Sequence, residues 1–249
     1  MSMKRHFIFG VPVDDVTTSE AARRMEEMLT GISRHTVYYA NAETLVRASR
    51  DTSFQKHLGS ASLVFPDGIG LYLFGRFAGA SVRSRIAGTD LLAALFDRLQ
   101  KHRRRPNVFL LGGKKTVVRN ANAALKKRFP GIAFVGYRDG FAGLLGWRND
   151  TALASADIVL VGLGSPKQEA WIHTNAKHLP RARIVMAVGG AFDMFAGSLP
   201  RAPRALRMSG LEWLWRLTLE PHERMGRIWN AVVVFPFLMV KLSLGFKKT

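Results

Sequence analysis

Seven short apolar runs, each leaving into a turn, constrain this chain more than any other feature. They are Phe7–Val11, Thr36–Ala40, Ser62–Phe65, Asn107–Leu111, Ile132–Val135, Asp157–Val161 and Arg183–Val188. Between most of them lie segments with helical spacing: Ser19–Leu29, Thr89–Lys101, Lys114–Phe129 and Lys167–His178. Strands alternating with helices predict an α/β fold, a Rossmann-like, mainly parallel sheet flanked by helices. Ligands of such sheets sit outside the carboxyl ends of the strands. Here those ends read Ala40-Asn41, Pro66-Asp67-Gly68, Gly112-Gly113, Tyr137-Arg138-Asp139-Gly140, Gly162-Leu163-Gly164 and Gly189-Gly190. The predicted rim is polar and rich in glycine.

One rim element carries a specific expectation. In Asp157–Trp171 an apolar run breaks into Gly162-Leu163-Gly164-Ser165-Pro166, and a polar, helix-prone segment opens at Lys167-Gln168-Glu169. A strand, a glycine turn and a helix N-terminus present free N–H groups and a positive dipole end to an anion. The turn fails the dinucleotide fingerprint, because the third residue after Gly164 is Lys167. Gly112-Gly113-Lys114 lacks the upstream glycine of a P-loop. Asp67, at a predicted strand end, is placed to act as a general base, and an Asp-Gly turn with no chemistry is the competing reading. Asp193, after Gly189-Gly190-Ala191-Phe192, has the same two readings. No Asp-x-Asp pair and no HExxH spacing occurs, so zinc and a carboxylate-held Mg²⁺ are poorly supported. A diphosphate would have to be met by arginine, lysine and backbone dipoles.

Charge points to the partner. Lys and Arg number 37 against 18 Asp and Glu, a formal net charge of +19, which suits a polyanion. Cysteine is absent, so disulfides and thiolate metal sites are excluded. The amino-terminal MSMKRHFIFG lacks the apolar core of a secretory signal. Composition changes near Gly197, dividing the chain into a catalytic α/β region, 1–197, and a basic appendage, 198–249. The appendage interleaves Arg201, Arg204, Arg207, Arg216, Arg224 and Arg227 with Trp213, Trp215 and Trp229. Arginine and tryptophan beside aliphatics suit an anionic membrane surface better than nucleic acid. A helical hairpin packed on the core is the plainer alternative. The apolar run Ala231–Val240 falls short of the ~20 residues that span a bilayer. The basic run Lys101–Arg105 reads as a solvated helix end.

Taken together, the motifs resemble the WecG/TagA/CpsF family of bacterial glycosyltransferases over nearly the whole chain. They run in order through Ala40-Asn41-Ala42-Glu43, Pro66-Asp67-Gly68-Ile69-Gly70, Arg85-Ile86-Ala87-Gly88-Thr89-Asp90 and Phe109–Gly113. Gly162–Glu169, Val188–Asp193, Arg201-Ala202-Pro203, Gly210–Arg216 and Glu220-Pro221 follow. The resemblance implies an inverting transfer of a sugar from a nucleotide donor, usually UDP-linked, to a polyprenyl-diphosphate-linked sugar. It also implies that the transfer takes place at the cytoplasmic face of the membrane, without metal or other cofactor. It assigns the general base to Asp67 and the donor diphosphate to appendage arginines, Arg216 foremost, then Arg224 and Arg227.

Asn41, Arg85 and Gln168 become candidates for orienting substrate. Gly112, Gly113, Tyr137, Gly162, Gly164, Pro166, Lys167, Glu169, Gly189, Gly190, Asp193 and Arg201 are the remaining substrate-binding candidates. The chain departs from the family at Tyr39, where many members have threonine, which puts a hydroxyl contact from that position in question. A homo-oligomer is compatible with the sequence. An oxidoreductase built on the same fold needs a glycine fingerprint that is not cleanly present. A non-catalytic membrane-bound protein is the other reading left open.

Overall fold

In a computed structural model the described residues are 4–75, 79–80, 82–200, 202–203, 205–206, 209, 211–219 and 221–244. A six-stranded parallel sheet forms the centre, built from β3 (His35–Ala40), β4 (Leu63–Pro66), β5 (Asn107–Gly112), β6 (Ala133–Arg138), β7 (Ile158–Gly162) and β8 (Ile184–Ala187). Its order is β4-β3-β8-β7-β5-β6, and every strand pair in it is parallel. β7 is buried at all five positions, as expected for a strand covered on both faces. The expected Rossmann-like α/β architecture is therefore present.

The first apolar run differs from expectation. Phe9 and Gly10 adopt positive φ, +50° and +73°, and turn the chain back between β1 (Lys4–Ile8) and β2 (Val11–Asp15). These two strands pair antiparallel, apart from the main sheet. Asp14, 1% exposed, ties the hairpin down: it accepts from Arg5 Nε at 2.7 Å, Arg5 Nη2 at 3.1 Å and Val64 N–H at 2.7 Å.

Two helical layers cover the sheet. On one side lie α1 (Thr18–Met28), α5 (Gly88–Lys101), α6 (Lys115–Arg128) and α9 (Ala191–Phe195), packed on Phe65, Leu110, Leu160 and Met186. On the other lie α2 (Ala42–Ala48), α3 (Thr52–Gly59), α4 (Ile69–Phe74), α7 (Thr151–Ala154) and α8 (Lys167–Asn175), packed on Tyr38, Val64, Val161 and Val185. α1 opens with a capping box, Thr17 and Glu20 each bonding the other's backbone N–H. Short helices α2, α3 and α4 fall where the sequence shows too few residues for a helical period to emerge.

No strand occurs after β8 among the described residues. α10 (Glu212–Leu219) precedes a long helix formed by α11 (Pro221–Trp229), a π-helical turn at Asn230–Val234 and α12 (Phe235–Ser243). Its stretch Met225–Ser243, 19 residues, is long and apolar enough to cross a membrane, in contrast to the apolar run Ala231–Val240 alone, because the helix extends beyond that run at both ends. One face of the helix is seated. Phe235 and Met239 are fully buried, and the Phe235 ring lies against Phe74 edge-on at 6.5 Å. A Cβ on Gly70 would stand 3.8 Å from Phe235 and 3.2 Å from the Ala42 Cβ. The opposite face shows Met225, Trp229, Val232, Val233, Phe237 and Val240 to solvent.

Candidate active site

Along the carboxyl edge of the sheet the rim residues fall in strand order. Asp67 follows β4 and Asn41 follows β3, and the two strand ends are direct partners, Ala40 beside Pro66. Next come Gly189-Gly190 after β8, Gly162–Gly164 after β7, Gly112-Gly113 after β5 and the end of β6. From β4 to β5 there are four strand spacings, roughly 19 Å. The chain leaves neighbouring strands toward opposite faces: β7 into α8 on one side, β5 and β8 into α6 and α9 on the other. Those are the switch points where crevices open in α/β sheets.

The β4 side of the crevice is made of side chains. Asp67 is half-buried. Its N–H donates to Ala40 C=O at 2.8 Å, and Pro66 C=O accepts from Ile86 N–H at 2.7 Å, which draws the Arg85 segment alongside. Arg85 is half-buried. Asn41 caps α2: its Oδ1 accepts from Thr44 N–H at 3.0 Å while its own N–H donates to Thr44 Oγ1 at 2.7 Å. The Asn41 side-chain oxygen is thus occupied by the fold, and its amide N–H₂ is the part that can meet a substrate.

Tyr39, the residue at variance with the family, is not remote from this chemistry. Its hydroxyl is buried without a hydrogen-bond partner, 3.4 Å from where a Cβ on Gly88 would stand. Burial, and then the Asp67 carboxylate, push its pKa well above the ordinary tyrosine value. A hydroxyl is therefore present at this position, held under the start of α5 and beside Asp67.

The β5–β7–β8 side is made of backbone. Gly112 and Gly162 pair across β5 and β7, so closely that a Cβ on Gly112 would lie 2.4 Å from the Gly162 carbonyl oxygen. Gly113 N–H donates to that same oxygen at 2.9 Å. α6, fourteen residues long, then starts at Lys115, with Lys114 as N-cap, no side-chain cap bond and no acidic residue in its first turn. Its first N–H groups and the dipole behind them point to the crevice. Lys114 and Lys167 are exposed on this rim. Pro166, in a cis peptide with Ser165, is the N-cap of α8 and carries no cap bond. Gly189 has φ +51°.

Several predicted site residues turn out to be differently placed from what their rim position suggested. Glu169 is 2% exposed and Gln168 is 7% exposed, so both lie beneath the rim. Tyr137 sits within β6 rather than on the loop after it, and is exposed on the edge strand. Its neighbour Arg138 is bound to Asp150 at 2.5 Å and to Leu145 C=O at 3.1 Å. Asp193 lies in the first turn of α9, half-buried, and its C=O accepts from Leu199 N–H at 3.1 Å.

Of the appendage arginines, Arg227 is exposed on α11. Arg201 lies outside the described residues, as do the side chains of Arg216 and Arg224. The helix that carries Arg216 is tied to the chain that follows α9: Trp215 Nε1–H donates to Pro200 C=O at 3.2 Å. Among the described residues no group of three or more His, Asp or Glu is placed to hold a metal ion.

A parallel sheet whose carboxyl edge sets a carboxylate against anion-accepting turns has the layout of a group-transfer enzyme. Residues 6–249 match the Glycosyl transferase WecG/TagA/CpsF family, and the chain belongs to that family of glycosyltransferases. The chain is 37% identical over 183 residues, 73% of this chain and 70% of the relative, to an enzyme of Bacillus spizizenii strain W23. It is 35% identical over 184 residues, with the same coverage, to its Bacillus subtilis strain 168 counterpart. A Staphylococcus aureus NCTC 8325 relative is 28% identical over 250 residues, 97% of this chain and 94% of the relative. All three are named N-acetylglucosaminyldiphosphoundecaprenol N-acetyl-beta-D-mannosaminyltransferase.

Proposed function

We propose that this protein transfers an N-acetylhexosamine from a UDP-sugar to a saccharide carried on a polyprenyl diphosphate, with inversion and without a metal ion, in the synthesis of a surface polysaccharide. The observation that carries the reading is the division of the crevice, with one carboxylate and its polar neighbours on the β4 side and glycine turns with an uncapped fourteen-residue helix on the β5 side. Asp67 takes the proton from the acceptor hydroxyl as that oxygen bonds to the anomeric carbon. The bond from that carbon to the β-phosphate oxygen breaks on the opposite face, and UDP leaves with the electron pair. Attack from behind inverts the configuration. Charge growing on the departing phosphate meets the α6 N-terminus, the Gly112-Gly113 and Gly162–Gly164 turns, Lys114, Lys167 and the appendage arginines. Asn41, Arg85 and Gly189-Gly190 orient the two sugars.

The acceptor's lipid places this chemistry at a membrane, and we assign the contact to the appendage, residues 198–249, at the cytoplasmic face. The exposed apolar face of Met225–Ser243 lies in the lipid interface, with basic residues toward headgroups. The seat of Phe235 and Met239 on α2 and α4 favours lying along the surface over spanning it, since spanning would strip both from their contacts. Incubating the protein with a panel of UDP-N-acetylhexosamines and a short-chain polyprenyl-diphosphate N-acetylglucosamine, then weighing the product, tests the reading. Transfer that vanishes with a chelator and returns with magnesium would refute the metal-independent step, and no product from any donor would refute the whole.

A further inference from the structure

Below the Gly162–Gly164 turn lies a buried polar cluster that the transfer step does not use. Gln168 Nε2 donates to Glu169 Oε1 at 2.9 Å, and Gly189 N–H donates to Gln168 Oε1 at 3.0 Å. Three more polar atoms are buried here without a hydrogen-bond partner: Glu169 Oε2, the Tyr38 hydroxyl and Ser165 Oγ. They come from α8, β3 and the β7–α8 turn. The groups facing the carboxyl are Gln168, Ser165, Tyr38 and, from α2, Glu43. None of these is a cation.

An amide has a donor end and an acceptor end, and the two neighbours of Gln168 demand opposite ends. Glu169 Oε1 requires the N–H₂. Once that end is committed, the amide oxygen is turned to the Gly189 N–H, which needs an acceptor. Rotate the amide and two donors confront each other while the carboxyl oxygen loses its partner. Gly189 is the left-handed residue that starts the turn out of β8, so the bond sets where this rim turn stands.

We propose that Glu169 is a positioning residue: its carboxyl holds the Gln168 amide in the one orientation that fixes the Gly189-Gly190 turn against the donor. The inference rests on the reading of that turn as part of the donor site. Burial raises the Glu169 pKa above the ordinary glutamate value against the opposing pull of the Gln168 amide, its own backbone and the nearby Ser165 side chain, and Glu43 adds to the rise. Oε1 accepts the Gln168 bond, while Oε2 is buried without a partner, as are the Tyr38 and Ser165 hydroxyls.

The test compares Glu169→Ala, Glu169→Gln and Gln168→Ala for UDP binding by calorimetry, for KM of donor and acceptor, and for the pH profile of transfer. Losing one aligned hydrogen bond weakens UDP binding and raises donor KM by about tenfold in Glu169→Ala, with acceptor KM unchanged. Glu169→Gln rescues most of that loss, because its amide oxygen accepts the same bond, and leaves the pH profile where the wild type has it. In a Gln168→Ala background the Glu169→Ala effect disappears. A Glu169→Gln protein as impaired as Glu169→Ala would overturn the proposal, because accepting the Gln168 amide bond would then not be what the residue supplies. Equal loss of donor and acceptor affinity would overturn it as well. If Glu169→Ala does not fold, the Gln168→Ala and Glu169→Gln pair carries the same comparison. Wild-type protein that binds no UDP refutes the donor-site reading instead, and so separates the two failures.

Discussion

β7 is buried along its whole length, while the helix Met225–Ser243 hides Phe235 and Met239 completely and turns Trp229, Val233 and Phe237 to solvent. Both are apolar segments of one chain, and they meet opposite fates. In β7 every side chain is buried between the two helical layers, and burial of each large apolar one contributes roughly 1.5–3 kcal/mol. On the long helix Phe235 and Met239 are buried, Ala231, Val234 and Leu238 pack partly on the core, and the outer apolar residues face solvent. The difference teaches that hydropathy alone does not separate core from interface. What separates them is whether a covering layer exists, and for the outer face of this helix none is present among the described residues.

The sharpest way to break the comparison is at the rim. Asp67→Asn removes the proposed base, and transfer should fall by about 10²- to 10⁴-fold while the melting temperature holds. Unchanged turnover would return the chain to a non-catalytic role. Next comes the seat of the helix. Phe235→Ala opens a cavity between α2, α4 and α12, and a calorimetric loss of roughly 3–5 kcal/mol is expected if the helix is part of the folded body. A loss near zero would show the helix to be an independent element. A smaller effect belongs to the outer face. Val233→Glu with Phe237→Glu should leave melting untouched and lower partition onto anionic vesicles about tenfold, as desolvating the new carboxylates opposes the interface. Partition unchanged by these two charges would move the membrane contact elsewhere.

The smallest effect is set by pH. Glu169 has a raised pKa in the folded protein, mainly through burial. Its contribution to stability is therefore full below the ordinary glutamate range and is lost as pH rises through the folded value. Glu169→Gln lacks that loss, so its melting temperature should gain on the wild type as pH rises above the ordinary glutamate range. A difference that stays constant over that rise would mean that the carboxyl titrates normally.

Much of this was legible in the residues because parallel strands write continuous apolar runs. The runs at Asn107, Asp157 and Arg183 fall within a residue or so of β5, β7 and β8, and their glycine exits fall on the crevice. Phe7–Val11 misled, because hydropathy does not record that Phe9 and Gly10 bend backward. α2, α3 and α4 were invisible as periods, each being about two turns or fewer, although Asn41 and Asp51 are capping residues that marked two of their starts. At the site, Asp67 and Asn41 were readable as strand-end polar residues. The depth of Glu169 was not, since the helical face a side chain occupies depends on how the turn before it enters. Nor does sequence spacing reveal that the Asp67 carboxylate bears on the buried Tyr39 hydroxyl, because proximity across parallel strands is a matter of register.

The contact of Phe235 with Gly70 and Ala42 has a practical side. α2 begins directly after Asn41 and α4 two residues after Asp67, so the tail props the two struts behind the proposed base. Trimming the greasy end to obtain a better-behaved preparation would then remove a buttress along with the stickiness. Soluble yield and catalytic competence should trade against each other in any shortened version that loses Phe235.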